Sequence, residues 1–324
     1  MNGSPIVAHD LRKAFGSTGT PVGLDLEMRQ GEMQASSAGT DLCHPGAVDL
    51  AAVVDSFRAD GHATVRSLLG ADELAPFIAV VERIAAGSRQ HRVPMAERDV
   101  YHRAFVQEIN LWQREAALRD LVFHQRIAEV AAALLEVDRV RLYHDQALCK
   151  EPFGGPTPWH VDQQYWPLDT DRSITAWIPL QDVTADMGPL RFARASQRID
   201  VGRELPIGAE SDRTLDEEIG RRRLAVHEDT YSLGDVSFHG GWTFHGARPN
   251  RTDRWRLVMT MIYFADGTTL LEPTRPQQHM DRRMWLPDSE VGRPIDSWLN
   301  PVVEPGVLDR LPPPAPMVGT LDLS

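Results

Sequence analysis

"GDVSFHGGWTFHGARPNRTDRWRLVMTMIYF", Gly234 to Phe264, decides how the second half of this chain is read. It has the form of a strand, a turn and a second strand. "GDVSFHGGWTFHG" closes at His245, "GARPNRTD" supplies turn residues, and an apolar run rich in methionine and β-formers follows. Successive side chains of a strand point to opposite faces. On the last strand Arg256, Val258, Thr260 and Ile262 therefore share one face, and Leu257, Met259, Met261 and Tyr263 the other. An arginine heading an otherwise apolar strand is costly to bury without an anionic partner.

Working backwards from this stretch, the chain keeps a β texture as far as Asp138. "RVRLYHDQALCKE" alternates, the loop "PFGGPTP" leads into "WHVDQQYW", and "SITAWIPLQDV", "LRFARAS" and "RLAVHED" are further short strands. Many short strands with regular punctuation predict a sandwich or barrel-like jelly roll. Ahead of Asp138 the periodicity is helical. "VDLAAVVDSFRADG" stops at Gly61, "HATVRSLL" reads as a short strand, and "GADELAPFIAVVERIAAGSR" and "NLWQREAALRDLVFHQRIAEVAAALLEV" supply more helices. The fold class expected is mainly β with flanking α-helices. Three segments follow: a flexible extension over 1–48, a core over 49–274, and a proline-rich tail over 275–324 packed on the same domain. Trp285, Leu286, Trp298 and Leu299 of that tail require burial.

Bulk composition narrows the function classes. The 324 residues are long enough to bury a sizeable core. The net charge of -12 leaves no basic face for nucleic acid or anionic membranes. No apolar run approaches the roughly 20 residues of a membrane span, and "MNGSPIVAHDLRK" lacks the apolar core of a signal peptide. Cys43 and Cys149 form no C-x-x-C pair and suggest no disulfide framework. Only Lys13 and Lys150 are lysines, a bias typical of a GC-rich, bacterial genome. Together these features predict a cytoplasmic enzyme acting on a small molecule, and leave its oligomeric state open.

The chemistry is concentrated in "TPWHVDQQYW", Thr157 to Trp166. In a strand, His160 and Asp162 would present an imidazole and a carboxylate on one face, two of the three ligands of a 2-His-1-carboxylate site for non-haem Fe(II). A lone H-x-D recurs by chance, so its weight depends on a second histidine. His245 and His239 both lie on the late strand segment and compete for that place. Arg254 shares strand parity with Arg256, while Arg248 and Arg251 fall in the polar turn. His144 and Asp145 are adjacent, so they face opposite sides of a strand and cannot chelate together.

The combination of His160-x-Asp162, His245 and Arg256, helices first and a jelly roll after, resembles the phytanoyl-CoA dioxygenase family. The likeness runs from about Val54 to about Asp266 and rests on "PTPWHVDQQYWP", on "GDVSFHGGWTFHGARPN", and on an arginine eleven residues past the histidine (245 to 256). "MGPLRFARASQR" is similar to a strand-turn element of the family. The resemblance implies a double-stranded β-helix, with Fe(II), 2-oxoglutarate and O2 as cofactor and cosubstrates. It implies His160, Asp162 and His245 as metal ligands and catalytic residues, and Arg256 as the anchor of the distal carboxylate. Trp177 would line the cosubstrate pocket or pack as core. Lys150 would reach a carboxylate or be solvated, and Tyr165 and Trp166 would line a substrate pocket or join the core. Two positions depart from the family pattern: Ala247 stands where a small hydroxyl residue is usual, and "ASQ" at 195–197 replaces "GSH".

The expected reaction is hydroxylation, or a desaturation or ring closure, of an unactivated C–H bond, with release of succinate and CO2. The substrate expected is a secondary metabolite or amino-acid derivative. Related halogenases carry Gly or Ala at the carboxylate position, so Asp162 favours hydroxylation. Two other classes compete, a zinc hydrolase on the same three ligands and a non-catalytic jelly-roll binding protein. Arg256 argues against the first and the complete triad against the second.

Overall fold

The structure, a computed structural model, describes residues 49–314; the extension expected over 1–48 lies outside them, as do residues 315–324. In α1 (Leu50–Asp60) the Asp49 carboxylate accepts from the Ala52 amide, and Gly61 closes the helix in the left-handed conformation. β1 (His62–Val65) and α2 (Ala71–Gly87) follow. The next stretch is more broken than its periodicity suggests. α3 (Arg89–Arg92), α4 (Val100–Ala104), β2 (Val106–Ile109) and α5 (Arg119–Val122) precede the longer α6 (Gln125–Leu135).

The remaining strands are β3 (Val140–Cys149), β4 (Thr157–His160), β5 (Ser173–Pro179), β6 (Leu190–Ala193), β7 (Val226–Glu228), β8 (Val236–Gly240), β9 (His245–Ala247) and β10 (Val258–Ala265). They form two antiparallel sheets, ordered β1-β8-β5-β10-β3-β2 and β4-β9-β6-β7. This is the double-stranded β-helix, or jelly roll, with flanking helices. Strand parity decides what each face of the large sheet holds. Met259, Met261 and Tyr263 of β10, Ile174, Ala176 and Ile178 of β5, and Val236 and Phe238 of β8 share one core with Ile127, Ala131 and Leu134 of α6. The alternate positions, Thr175 and Trp177 on β5, His239 on β8 and Thr260 on β10, are buried outside that helix-facing core.

Several sequence expectations need correction. "GDVSFHGGWTFHG" is not one strand: the chain leaves the large sheet after Gly240 and joins the small sheet at His245. Asp162 lies beyond β4, with φ -79° and ψ -40°, because its amide and that of Gln163 both donate to the Gly241 carbonyl and bend the chain. Its position beside His160 thus comes from a turn rather than from strand alternation.

Two helices were not legible. α7 (Ala209–Arg222) buries little apolar surface beyond Leu215 and Ile219, and α8 (Pro276–Trp285) buries only Asp281 and Trp285. In the tail, Trp285 and Leu286 pack against Tyr143, Trp166 and Phe264, and Leu299 joins the helix-side core. Trp298, expected to be buried, remains 49% exposed, its ring edge-on to Trp112. No helix among the described residues is long and apolar enough to cross a membrane.

Candidate metal centre and cosubstrate pocket

Two neighbouring strands of the small sheet set the site. His160 ends β4 and His245 begins β9, and the two are directly paired. Each imidazole is oriented by a carbonyl: His160 Nδ1 lies 2.8 Å from the Pro158 oxygen, and His245 Nδ1 lies 3.0 Å from that of Thr243. A carbonyl only accepts, so both Nδ1 atoms carry the proton and both Nε2 lone pairs are free. These lone pairs converge on Asp162, whose Oδ1 is 3.5 Å from His160 Nε2 and 3.6 Å from His245 Nε2. The three ligand atoms lie within 4.8 Å of one another.

The other carboxylate oxygen is held from the large sheet. Thr175 donates its hydroxyl to Asp162 Oδ2 at 2.9 Å, and His239 Nε2 stands 3.3 Å from the same atom. Thr175 and His239 are cross-strand partners on β5 and β8. His239, the competitor for the third ligand position, therefore faces the opposite carboxylate oxygen from His160 and His245. Burial alone would raise the Asp162 carboxyl, but His245, then His160 and His239, hold it well below its usual range. Burial, followed by His160 and His239, keeps His245 neutral. Two imidazoles and one carboxylate make a donor set that suits a divalent transition metal.

Trp177 leads from this cluster to a second one. It packs on Tyr231 at a tilt of 51° with ring centroids 4.9 Å apart, and the Arg256 guanidinium lies 5.4 Å from its ring centre. Arg256 sits just ahead of β10, is 2% exposed, and donates to the Gly188 carbonyl at 2.5 Å. Its Nε has no hydrogen-bond partner among the described residues, and burial lowers the guanidinium to about 10. Gly188 can offer that carbonyl because it takes the left-handed conformation, and a Cβ there would lie 2.2 Å from the Arg248 oxygen.

Lys150 pairs with Arg256 through both backbone hydrogen bonds, at 3.0 and 2.9 Å. It is neither solvated nor beside a carboxylate. Its ammonium is fully buried and donates to the Ala104 and Gly155 carbonyls at 2.8 and 2.6 Å and to Thr157 Oγ1 at 3.1 Å. Burial and then Arg256 hold it well below its usual value. Arg256 and Lys150 are thus buried close together with no carboxylate partner among the described residues, a setting that favours an anion at Arg256. Ala247 removes a hydroxyl from β9, but its cross-strand partner is Thr157, whose hydroxyl accepts from the Lys150 ammonium. At the other departure, Ser196 accepts from the Phe244 amide at 2.8 Å and so anchors the crossover between β8 and β9. Arg254, the rival of Arg256, is exposed, with a 3.9 Å contact to the Met187 sulfur.

Tyr165 and Trp166 follow Asp162 in a short turn. The Tyr165 hydroxyl accepts from the Ile207 amide at 2.9 Å, and Trp166 packs on Tyr143 at 5.5 Å. Thr175 went unnoticed because a threonine in a buried strand carries no local signal. Only the pairing of β5 with β8, which sets it beside His239, reveals it.

The phytanoyl-CoA dioxygenase (PhyH) family profile matches residues 57–258. Ectoine dioxygenase of Nocardia farcinica (strain IFM 10152) is 25% identical over 239 residues, 68% of this chain and 79% of its own. A probable alpha-ketoglutarate-dependent hypophosphite dioxygenase of Stutzerimonas stutzeri is 27% identical over 162 residues, 48% of this chain and 56% of its own. Among solved structures, the non-heme alpha-ketoglutarate-dependent epimerase SnoN from nogalamycin biosynthesis superposes with a TM-score of 0.63 at 23% identity. That likeness, one of fold, covers 79% of this chain and 98% of SnoN.

Proposed function

The chain belongs to the phytanoyl-CoA dioxygenase family, and from that premise we propose that it oxidises an unactivated C–H bond of a small molecule at an iron held by His160, Asp162 and His245. The enzyme is an Fe(II)- and 2-oxoglutarate-dependent oxygenase that uses O2. When bound, the iron supplies the redox chemistry that couples conversion of 2-oxoglutarate to succinate and CO2 with oxidation of the substrate. A secondary metabolite or amino-acid derivative is the substrate class that fits an acidic chain without a basic cluster for CoA phosphates.

The protein's own residues supply position and charge. The carbonyls of Pro158 and Thr243 fix the tautomer of the two ligating imidazoles. Thr175 and His239 hold the far oxygen of Asp162, so that its near oxygen stays turned toward the histidines. Arg256 takes the distal carboxylate of 2-oxoglutarate, with Trp177 as a flat wall beside it and the Thr157 hydroxyl, which accepts from Lys150, in place of the one missing at Ala247. The observation that carries this reading is the buried Arg256 Nε, without a partner among the described residues, in the same jelly roll as a His/Asp/His set. A zinc hydrolase on the same ligands would have no use for that guanidinium.

Succinate release from candidate metabolites, measured with Fe(II), ascorbate and 2-oxoglutarate, tests the proposal. Substrate-dependent succinate that disappears without O2 or iron is the expected result. Tightly bound zinc with no affinity for 2-oxoglutarate would overturn it.

A further inference from the structure

One buried charge takes no part in the iron or cosubstrate sites. Asp281 on α8 is 6% exposed, and the Tyr143 hydroxyl donates to its Oδ2 at 2.9 Å. Its Oδ1 has no hydrogen-bond partner among the described residues, and no cation contributes to its environment. A carboxylate withdrawn from water with one neutral donor is poorly compensated. Burial accordingly pushes Asp281 up to about 7, against the opposing hydrogen bond from Tyr143.

An irregularity in β3 ties that strand to α8, whose start is joined to the turn that carries Asp162. The register against β10 shifts so that Ile262 pairs with His144 but Tyr263 with Leu142. With the extra residue, two consecutive side chains both meet α8: Tyr143 reaches Asp281, and His144 packs on Trp285 with ring centroids 5.5 Å apart. The start of α8 is tied to the turn carrying Asp162, since Arg275 and Gln278 donate to the Gln164 carbonyl at 3.4 and 3.2 Å. The Tyr101 and Tyr165 hydroxyls both feel the negative charges of Asp162 and Asp281, so the two carboxylates act on one region.

The surroundings of Asp281 are aromatic, with Tyr143, Trp166 and Trp285 in one cluster. A protonated amine suits this setting. It offers the charge and N–H donors that Asp281 lacks, and aromatic faces attract cations. An anionic group would meet like charge, and a neutral hydroxyl would leave the carboxylate's charge unpaired. We infer that Asp281 is the substrate-recognition carboxylate of this enzyme and that its substrate carries a basic, protonated nitrogen. The inference rests on the proposed function, which places substrate oxidation beside Asp162.

Benzylammonium and benzyl alcohol, matched in size and differing in charge, serve as probes. Their binding is followed by tryptophan fluorescence under anaerobic conditions, with and without Fe(II) and 2-oxoglutarate. The wild type should prefer benzylammonium about tenfold or more, the worth of one charge-assisted contact. Asp281→Asn should erase the preference while 2-oxoglutarate affinity is unchanged, and Tyr143→Phe, which keeps the carboxylate, should retain it. Equal affinity of the wild type for both probes, or a preference that survives in Asp281→Asn, overturns the inference. Should Asp281→Asn not fold, Asp281→Ser takes its place: a preference lost in that variant supports the inference and one retained overturns it. Absence of 2-oxoglutarate binding in the wild type would instead count against the oxygenase reading, with the amine preference still measured separately.

Discussion

Asp162 is the residue on which the site turns, because its two oxygens answer to different sheets: Oδ1 to the histidines of the small sheet, Oδ2 to Thr175 and His239 of the large one. Thr175→Val removes one anchor of Oδ2 without touching a ligand. Anaerobic Fe(II) titration against a competing chelator should show affinity falling by about 10- to 100-fold, the usual cost of losing an outer hydrogen bond at a metal site. Arg256→Met should separate the functions differently. Iron affinity stays the same, while 2-oxoglutarate dissociation rises by about 10-fold or more, because a buried charge-assisted contact is lost. Single residues were the most legible part of the sequence. His160, Asp162, His245 and Arg256 sit in recognisable strings, whereas Thr175 and Asp281 are ordinary letters until the fold gives them neighbours.

At the scale of elements, the strands were legible where alternation was clean, as in β3, β5 and β10, and the helices where the apolar stripe was full, as in α1, α2 and α6. α7 and α8 escaped because their exposed faces dominate their composition, and the β8–β9 crossover escaped because "GGWTF" has strand-like residues on both sides of its glycines. α6 docks on the outer face of the large sheet with Ile127 fully buried. Ile127→Ala should cost about 2–5 kcal/mol in urea denaturation, through lost burial and the cavity left behind.

The loop after β2 gives a pH test. Burial pushes Asp145 up to about 7, against the amides of Leu111 and Trp112 that donate to it. A carboxyl raised in the folded state contributes stability that is full below its unfolded value near 3.8 and is lost as pH rises through about 7. Asp145→Asn keeps an acceptor oxygen and removes the titration. The melting temperature of the wild type relative to Asp145→Asn should therefore be higher at pH 5 than at pH 8, and an identical difference at both would contradict this.

At the scale of the molecule, the sites proposed for iron and 2-oxoglutarate lie on strands that are distant in sequence, so binding there should be felt throughout. At about a hundred times its dissociation constant, each ligand adds about 2.7 kcal/mol to the folded state. Anaerobic scanning with both should raise the melting temperature by about 5–15 °C for a chain of this size, and a chelator should reverse the gain. The same preformed site has a cost in metal choice. With each imidazole tautomer fixed by a carbonyl and the carboxylate anchored from behind, the donors are arranged before any ion arrives. Such a rigid nest of two nitrogens and an oxygen has no intrinsic means of refusing zinc, which outcompetes ferrous iron for these donors. Fidelity of loading is then set by which ion is supplied: protein made under zinc excess should emerge stable, correctly folded and inert, and should recover activity once the wrong ion is exchanged.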